Sequence, residues 1–266
     1  VTDFFESLQK QTRKKFDVLV VNDGYEDFYK IKKKFNSLNI IELPAAGSIA
    51  KNRQVLIQFS KNNNYDIAIF GDIDDVFSKT RIEKSINALA AVDIVVNDLT
   101  SISKNGQIIN EHIYSNRLHN EEILSFEFIK DKNIFGLSNT AINLKKLKVE
   151  FTYFPENLIA VDWYFFSLLL LNGLKAMFIA DVVTLYRQYD SNIIGIGSFN
   201  AKKIRSIIEV KSVHYEEMRK KSSDFEILLN ETLRLKKLIS SEPKLNELIE
   251  INCKKITYPL WWELTS

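Results

Sequence analysis

The sequence is poor in cysteine, histidine, glycine and proline, and each shortage narrows the kind of protein it encodes. Cys253 is the only cysteine, which excludes an intrachain disulfide framework and a cysteine-based zinc site and is typical of a reducing cytosol. The 3 histidines are too scattered to support a histidine-based metal site. With 8 glycines and 4 prolines, no stretch resembles a low-complexity linker and no internal repeat is visible. We therefore expect a folded chain without cysteine or histidine metal sites.

Strong net charge and a membrane-spanning apolar run are also lacking. The 36 basic and 34 acidic residues leave a net charge of +2, so no global field favours nucleic acid as a partner. The longest apolar stretch, 165–180, is interrupted by Asn172, Gly173 and Lys175, and the first residues lack the pattern of a signal peptide. We therefore expect a cytoplasmic protein, with the inner face of the membrane as a further option.

Predicted strands and helices alternate through the first two thirds of the 266 residues. The predicted strands are 16–21, 40–43, 67–70, 93–97 and 176–179, and the predicted helices between them include 25–35, 50–59 and 161–172. The Asn105-Gly106 pair predicts a hairpin turn. This alternation predicts an α/β fold whose largely parallel sheet has helices on both faces and binds ligands at the carboxyl ends of its strands. We expect one globular domain over residues 1–197 and a helical C-terminal appendage over 198–266, with a helix break near 240–243.

A cluster of carboxylates ends the most apolar of these strands. Asp72, Asp74 and Asp75 lie within five residues after Phe70, and Asp23 follows an earlier strand at the same predicted edge. Carboxylates this close repel each other by roughly 1 kcal/mol per pair in water and by several kcal/mol in a poorly solvated cleft, so the cluster needs solvent or a bound cation. Hard oxygen ligands suit Mg²⁺ or Mn²⁺. The alternative is an acidic turn before a helix cap.

Several motifs in this order resemble the family-2-type glycosyltransferases of the GT-A fold, over residues 4–197. They are Gln11-Thr12, Val20-Val21-Asn22-Asp23-Gly24, Gly47-Ser48-Ile49-Ala50-Lys51-Asn52-Arg53 and Asp72-Ile73-Asp74-Asp75. The resemblance implies a Rossmann-like, mostly parallel mixed sheet. It also implies that Asp23 contacts the nucleotide, that Lys51 meets the diphosphate in place of the usual Arg, and that Asp72 and Asp74 hold the divalent cation and the sugar nucleotide. Asp75 would orient them.

Two later segments extend the resemblance. Val161-Asp162-Trp163 stands where the family has Glu-Asp-aromatic, which implies that Asp162 is the general base. Its alternative is a residue of the first helical turn, and the two roles are compatible. Tyr186-Arg187-Gln188-Tyr189 stands for Tyr-Arg-x-His, which implies that Arg187, and more weakly Tyr189, lie near the metal or diphosphate, with ordinary packing beneath the site as the alternative. Family members also begin with a buried strand that precedes the first residue of this sequence.

The resemblance implies a metal-dependent inverting glycosyltransferase that uses a nucleotide sugar, with a UDP-sugar favoured, to extend a surface glycan or a lipid-linked acceptor. Acceptor hydroxyls are expected to meet the region 99–140, where Ser138, Asn139 and Thr140 are candidate contacts. Two alternatives stay open. One is a haloacid dehalogenase-like phosphatase with Asp72 as nucleophile and Asp74 as acid/base. The other is a non-catalytic binding protein with the same fold.

The C-terminal segment is unusually aromatic and basic. Trp261 and Trp262 follow Lys254 and Lys255 closely, a pattern that could touch a membrane carrying a lipid-linked acceptor. Packing on the core, or a homodimer formed through the C-terminal helices, is the favoured interpretation.

Overall fold

Helices and strands alternate along the chain as predicted. The computed structural model describes residues 1–189, 199–255 and 260–264, without the side chains of 254 and 255. The helices are α1 (Thr2–Gln9), α2 (Phe28–Lys34), α3 (Ile49–Asn62), α4 (Arg81–Ala88), α5 (Phe126–Ile129), α6 (Val161–Leu171), α7 (Ala201–Arg219), α8 (Phe225–Leu238) and α9 (Glu242–Lys255). The strands are β1 (Asp17–Asn22), β2 (Asn39–Pro44), β3 (Ile67–Ile69), β4 (Val76–Phe77), β5 (Ile94–Ile102), β6 (Ile108–Asn110), β7 (Ile123–Leu124), β8 (Thr140–Asn143) and β9 (Ala176–Arg187).

The strands form a mixed arrangement with helices around it. In the described residues β1 pairs with β2, and a second sheet has the order β3-β8-β5-β9-β4, with β6 on β5 and β7 on β9. The pairs β1–β2 and β5–β9 are parallel, and the other pairings are antiparallel. The predicted GT-A-like mixed sheet is confirmed, but parallel pairings are the minority. The predicted turn at 105–106, where Gly106 has φ +83°, reverses the chain between β5 and β6, and β8 enters antiparallel between β3 and β5.

The strand predicted to end at residue 179 continues much further. Polar Asp181 breaks the apolar pattern, and β9 passes it through an irregularity opposite Asn97 and Asp98 before it resumes parallel pairing with β5. This continuation carries Arg187 to the level of the acidic turn after β3.

A cavity of about 840 Å³ separates β1 from β3. Val18 and Val20 line one side and Ile67 and Ile69 line the other, so most of its wall is apolar. One end reaches Asp72 and its neighbours on α3. The described strands therefore form two sheets and not one continuous sheet. The additional central strand expected from the resemblance stays a prediction.

The C-terminal helices pack on the core through aromatic side chains. Trp163 at the start of α6 stacks on His214 of α7, with ring centres 3.7 Å apart and planes at 3°. The ring of Trp261 packs edge-on against the ring of Trp163, with the ring centres 5.3 Å apart. Trp261 and Trp262 are 8% and 9% exposed, which supports packing and leaves these two rings no free face for a membrane. The buried ring of Trp262 lies 6.3 Å from that of Tyr114.

Some predictions fall outside the described part of the chain. They are the domain boundary near Gly197 and the side chains of Lys254 and Lys255. The homodimer through the C-terminal helices likewise stays a prediction. Among the described residues, no helix combines the length and the apolar character needed to cross a membrane.

Candidate active site

The acidic turn after β3 is built around Asp72. The backbone closes a turn in which the N–H of Asp75 donates to the carbonyl of Asp72 over 3.1 Å. The half-buried carboxylate of Asp72 accepts hydrogen bonds from the guanidinium of Arg53 on α3 and from Ser138, whose Oγ lies 2.7 Å away. Burial acts to raise the pKa of Asp72, but the charge of Arg53 and the Ser138 hydrogen bond outweigh it and lower that pKa. Asp72 is therefore ionised and already partnered.

Asp74 has the opposite electrostatic situation. Its carboxylate is half-buried, and burial together with the nearby charge of Asp72 raises its pKa. Its one recorded hydrogen bond is to its own backbone N–H. No side-chain partner of this carboxylate is seen among the described residues, so it is open to a cation. A divalent ion fits Asp72 and Asp74 as two hard oxygen donors. The described residues contain no group of three metal-ligating side chains, so water and substrate oxygens would supply the other ligands.

Asp75 and Arg187 stabilise the acidic turn from its buried side. Asp75 is fully buried and accepts a 2.9 Å hydrogen bond from the backbone N–H of Arg187, while burial raises its pKa to about 7. The guanidinium of Arg187 donates to the carbonyls of Asp74 (2.8 Å) and Lys104 (2.9 Å) and to the carboxylate of Asp3 (2.8 Å). The predicted supporting role of Asp75 agrees with this geometry. The hydrogen bonds of Arg187 agree with the packing alternative, and its predicted place near the metal or diphosphate stays a prediction.

A second buried arginine lies beneath the same turn. The Arg81 guanidinium sits 3.6 Å from the centre of the Phe77 ring and donates to the carbonyl of Phe70 over 2.8 Å. Burial lowers its pKa to about 9, while Asp75 and Asp72 act in the opposite direction. Arg81 thus offsets part of the negative charge without facing the opening of the site.

The nucleotide-side residues predicted from the sequence lie at the ends of β1 and α3. Asp23 is exposed after β1 and accepts a 3.2 Å hydrogen bond from Nδ2 of Asn52. Lys51 points instead to the exposed Glu156, 3.7 Å away, and not to the carboxylates. The basic side chain that pairs with Asp72 is Arg53. In the sequence, Arg53 is only the last residue of a motif that assigns it no role.

Asp162 lies in the first turn of α6 and is half-buried. Its Oδ1 accepts the backbone N–H of Trp163 over 2.8 Å, and its Oδ2 accepts Nδ2 of Asn133 over 3.2 Å. Burial, and to a lesser extent Asp72, raise its pKa. Asp72, Asp162 and Asp74 in turn raise the pKa of Arg53. A guanidinium thus lies within electrostatic range of the predicted base and both predicted metal ligands. Asn133 was not anticipated from the sequence.

Only one of the three candidate acceptor contacts in the predicted region lies at the carboxylates. Ser138 bonds Asp72. Asn139 is fully engaged inside the fold, where it donates to the carbonyl of Asn97 over 3.0 Å, and Thr140 is buried in β8. Tyr189 is within electrostatic range of Asp74, since burial and Asp74 together raise its pKa.

Comparison with known proteins gives one family. Residues 1–146 match the family model of glycosyl transferase family 2. No curated protein gives a significant match to the sequence.

The fold is similar to that of solved glycosyltransferases. S. aureus TarS 1–349 in complex with UDP is 19% identical, with a TM-score of 0.60, and the match covers 88% of this chain and 66% of that one. The mannosyltransferase PcManGT from Pyrobaculum calidifontis, in complex with GDP-Man and Mn²⁺, is 16% identical, with a TM-score of 0.58 and coverage of 83% and 60%. The chain thus spans just under two thirds of these two proteins, and at such identities the likeness shows the fold alone.

Proposed function

The chain belongs to glycosyl transferase family 2, and we propose that it moves a sugar from a nucleotide-diphosphate donor to a hydroxyl group with inversion at the anomeric carbon. The favoured donor is a UDP-sugar, and the acceptor is a glycan or lipid-linked glycan of the type used to build surface polysaccharides. The reaction would take place in the cytoplasm or at the inner face of the membrane.

The observation that carries this proposal is the ion pair of Arg53 with Asp72, with Asp74 and Asp162 within electrostatic range of the same guanidinium. These residues come from the turn after β3, the start of α6 and the first turns of α3. Each of the three carboxylates raises the pKa of Arg53, which supports their presence at one site. Such a site has a cation-binding side and a proton-accepting side, as sugar transfer from a diphosphate requires.

Asp162 is proposed as the general base. Its carboxylate takes the proton of the acceptor hydroxyl while that oxygen bonds to the anomeric carbon and the bond from that carbon to the diphosphate oxygen breaks. The nucleoside diphosphate leaves with the electron pair. Burial raises the pKa of Asp162, which makes its carboxylate a stronger base than an exposed aspartate.

Asp72 and Asp74 are proposed to hold Mg²⁺ or Mn²⁺. The cation, when bound, stabilises the negative charge of the departing diphosphate. Asp74 offers a carboxylate without a side-chain partner among the described residues, and Ser138 and Arg53 fix the orientation of Asp72. The Mn²⁺ present with GDP-Man in PcManGT supports this assignment.

The nucleotide is proposed to lie between Asp23 and the first turn of α3. Asn52 already holds Asp23, so the carboxylate is fixed before the nucleotide binds. The ion pair of Lys51 with Glu156 is long and exposed and therefore weak, so the ammonium group can turn to a diphosphate at little cost. The UDP bound to TarS favours uridine as the base.

The two alternatives fare differently. The match to glycosyl transferase family 2 includes the acidic motif, which favours a glycosyltransferase over a phosphatase. A non-catalytic member of the family would keep the same geometry without turnover. Activity must therefore be measured.

The test is release of UDP from UDP-GlcNAc by the purified chain with Mn²⁺, with UDP-glucose and GDP-mannose as further donors. We expect Asp162→Asn to lower turnover by at least ~100-fold, the usual contribution of a general base, and to leave calorimetric binding of UDP with Mn²⁺ unchanged. Asp181→Asn is the matched control, because Asp181 is an exposed partner of Lys84 away from the site. EDTA should abolish turnover, and Mn²⁺ should restore it. Unaltered turnover in Asp162→Asn would show that Asp162 is not the general base. An absence of turnover with every donor would favour the non-catalytic alternative.

A further inference from the structure

Asn133 is a buried amide with an unusual set of contacts. Its side chain is 8% exposed and lies beyond α5, and Nδ2 donates to Oδ2 of Asp162 over 3.2 Å. This is the one hydrogen bond described for the amide. Its Oδ1 is buried and has no hydrogen-bond partner among the described residues. The reversed amide would turn Oδ1 toward a carboxylate oxygen, so the donor must face Asp162.

This contact completes the support of the Asp162 carboxylate. The backbone N–H of Trp163 holds Oδ1 and Asn133 holds Oδ2, so one donor restrains each oxygen. Two donors on two oxygens oppose rotation of the carboxylate about its terminal bond. The preceding residue in the chain, Val161, has an apolar side chain that cannot donate.

A neighbouring asparagine shows what a purely structural amide looks like here. Asn139 donates to the carbonyls of Asn97 (3.0 Å) and Ile134 (3.5 Å) and accepts the backbone N–H of Gly136 (3.0 Å). Those bonds tie the segment to the sheet. Asn133 has no comparable tie to the backbone in the described part of the chain. A buried amide whose oxygen has no hydrogen-bond partner is unfavourable for the fold, which points to a role at Asp162.

We propose that Asn133 is a positioning residue, which holds the Asp162 carboxylate in one orientation and stabilises its charged form for proton transfer. This inference rests on the proposed function, in which Asp162 is the base. Three ionisable side chains from other elements also act on the same carboxylate: Arg53, Asp72 and Tyr114. All three side chains are kept in the variants below, so a change in the pKa of Asp162 can be attributed to the loss of the Asn133 amide.

The first experiment titrates Asp162 directly by ¹³C NMR of protein labelled at aspartate carboxyl carbons, with its signal assigned by its loss in Asp162→Asn. Asn133→Leu keeps a similar shape and removes the donor. Loss of a hydrogen bond to a charged group should raise the pKa of Asp162 by about 1 to 2 units. Asn133→Ala serves the same purpose if leucine does not fit. Asn139→Ala is the matched control, because it disturbs the same segment and should leave the pKa of Asp162 in place.

The second experiment follows UDP release from UDP-GlcNAc against pH. In Asn133→Leu the acid limb of the kcat/KM profile should move to higher pH by the same amount as the pKa of Asp162, and binding of UDP and Mn²⁺ should be unchanged. In Asn139→Ala the acid limb should stay at its wild-type pH. An unshifted Asp162 signal in both Asn133 variants would overturn the inference. The titration needs no turnover, so it stands apart from the proposed function: a shifted signal with full activity in Asp162→Asn would refute the base and keep the contact.

Discussion

His214 gives a sharp prediction about stability, because a titratable ring is buried there without a polar partner. It is 1% exposed, stacks on Trp163, and is bordered by Tyr215 and Phe225. Neither ring nitrogen has a hydrogen-bond partner among the described residues. Burial lowers the pKa of His214 well below 6.5, so the ring is neutral in the folded protein. On unfolding it regains an ordinary pKa and binds a proton in mild acid.

The direction and size of the effect follow from proton linkage. The pKa of His214 is lower in the folded protein than in the unfolded chain. The free energy of unfolding is therefore unaffected by this ring above pH 6.5, and it falls as the pH drops from there toward the folded pKa. Each pH unit in that window lowers the free energy of unfolding by up to about 1.4 kcal/mol. Between pH 7.5 and pH 5, His214 should therefore remove about 2 kcal/mol.

The measurement is urea unfolding at equilibrium at pH 7.5, 6.5, 5.5 and 5, with wild type and His214→Leu compared at each pH. The leucine variant has no titrating ring, so its stability relative to wild type should improve by about 2 kcal/mol across the series. His119→Gln removes an exposed imidazole and should follow wild type. Parallel pH curves for wild type and His214→Leu would refute the reasoning, because His214 would then bind a proton equally in both states.

Two further predictions concern packing and charge. Trp262→Ala should lower the free energy of unfolding by about 3–5 kcal/mol, because Trp262 is only 9% exposed. Tyr29→Ala, at a 62% exposed position, is the control and should change it by less than ~1 kcal/mol. Similar losses for the two variants in urea unfolding would contradict the packing of Trp262 on the core. Arg53→Met should tighten binding of Mn²⁺ alone by about tenfold or more, because it removes a positive charge from Asp72. Electron paramagnetic resonance of free Mn²⁺ measures this, with Lys51→Met as the control, and weaker binding in Arg53→Met would show that Arg53 does not oppose the ion.

Features that depend on neighbouring residues could be predicted from the sequence. The apolar run before Asp72 predicted β3, the Asn105-Gly106 pair predicted the turn between β5 and β6, and Gly173, with φ +86°, ends α6 where expected. The direction of the strands was harder to predict. Alternating strands and helices favour parallel pairing, but the short β4, β7 and β8 pair antiparallel with strands distant in sequence, and their own residues carry no signal of partner or direction.

The partners of the site residues could not be predicted, because they come from elsewhere in the chain. Arg53 is 19 residues from Asp72, and Asn133 is 29 residues from Asp162. Neither belongs to a motif that assigns it a role. Lys51 is paired with the exposed Glu156, and its predicted contact with the diphosphate stays a prediction.

Charge balance explains why four carboxylates can share one edge of this fold. They are Asp72, Asp74, Asp75 and Asp162, and three arginines from α3, α4 and the end of β9 oppose them. Arg81 and Arg187 are buried beneath the turn and have fixed partners, whereas Arg53 is 26% exposed beside Asp72. The buried arginines therefore stabilise the turn, and Arg53 is the one of the three that stands at the opening. A net charge of +2 hides this arrangement completely, because the function depends on where the charges meet and not on their sum.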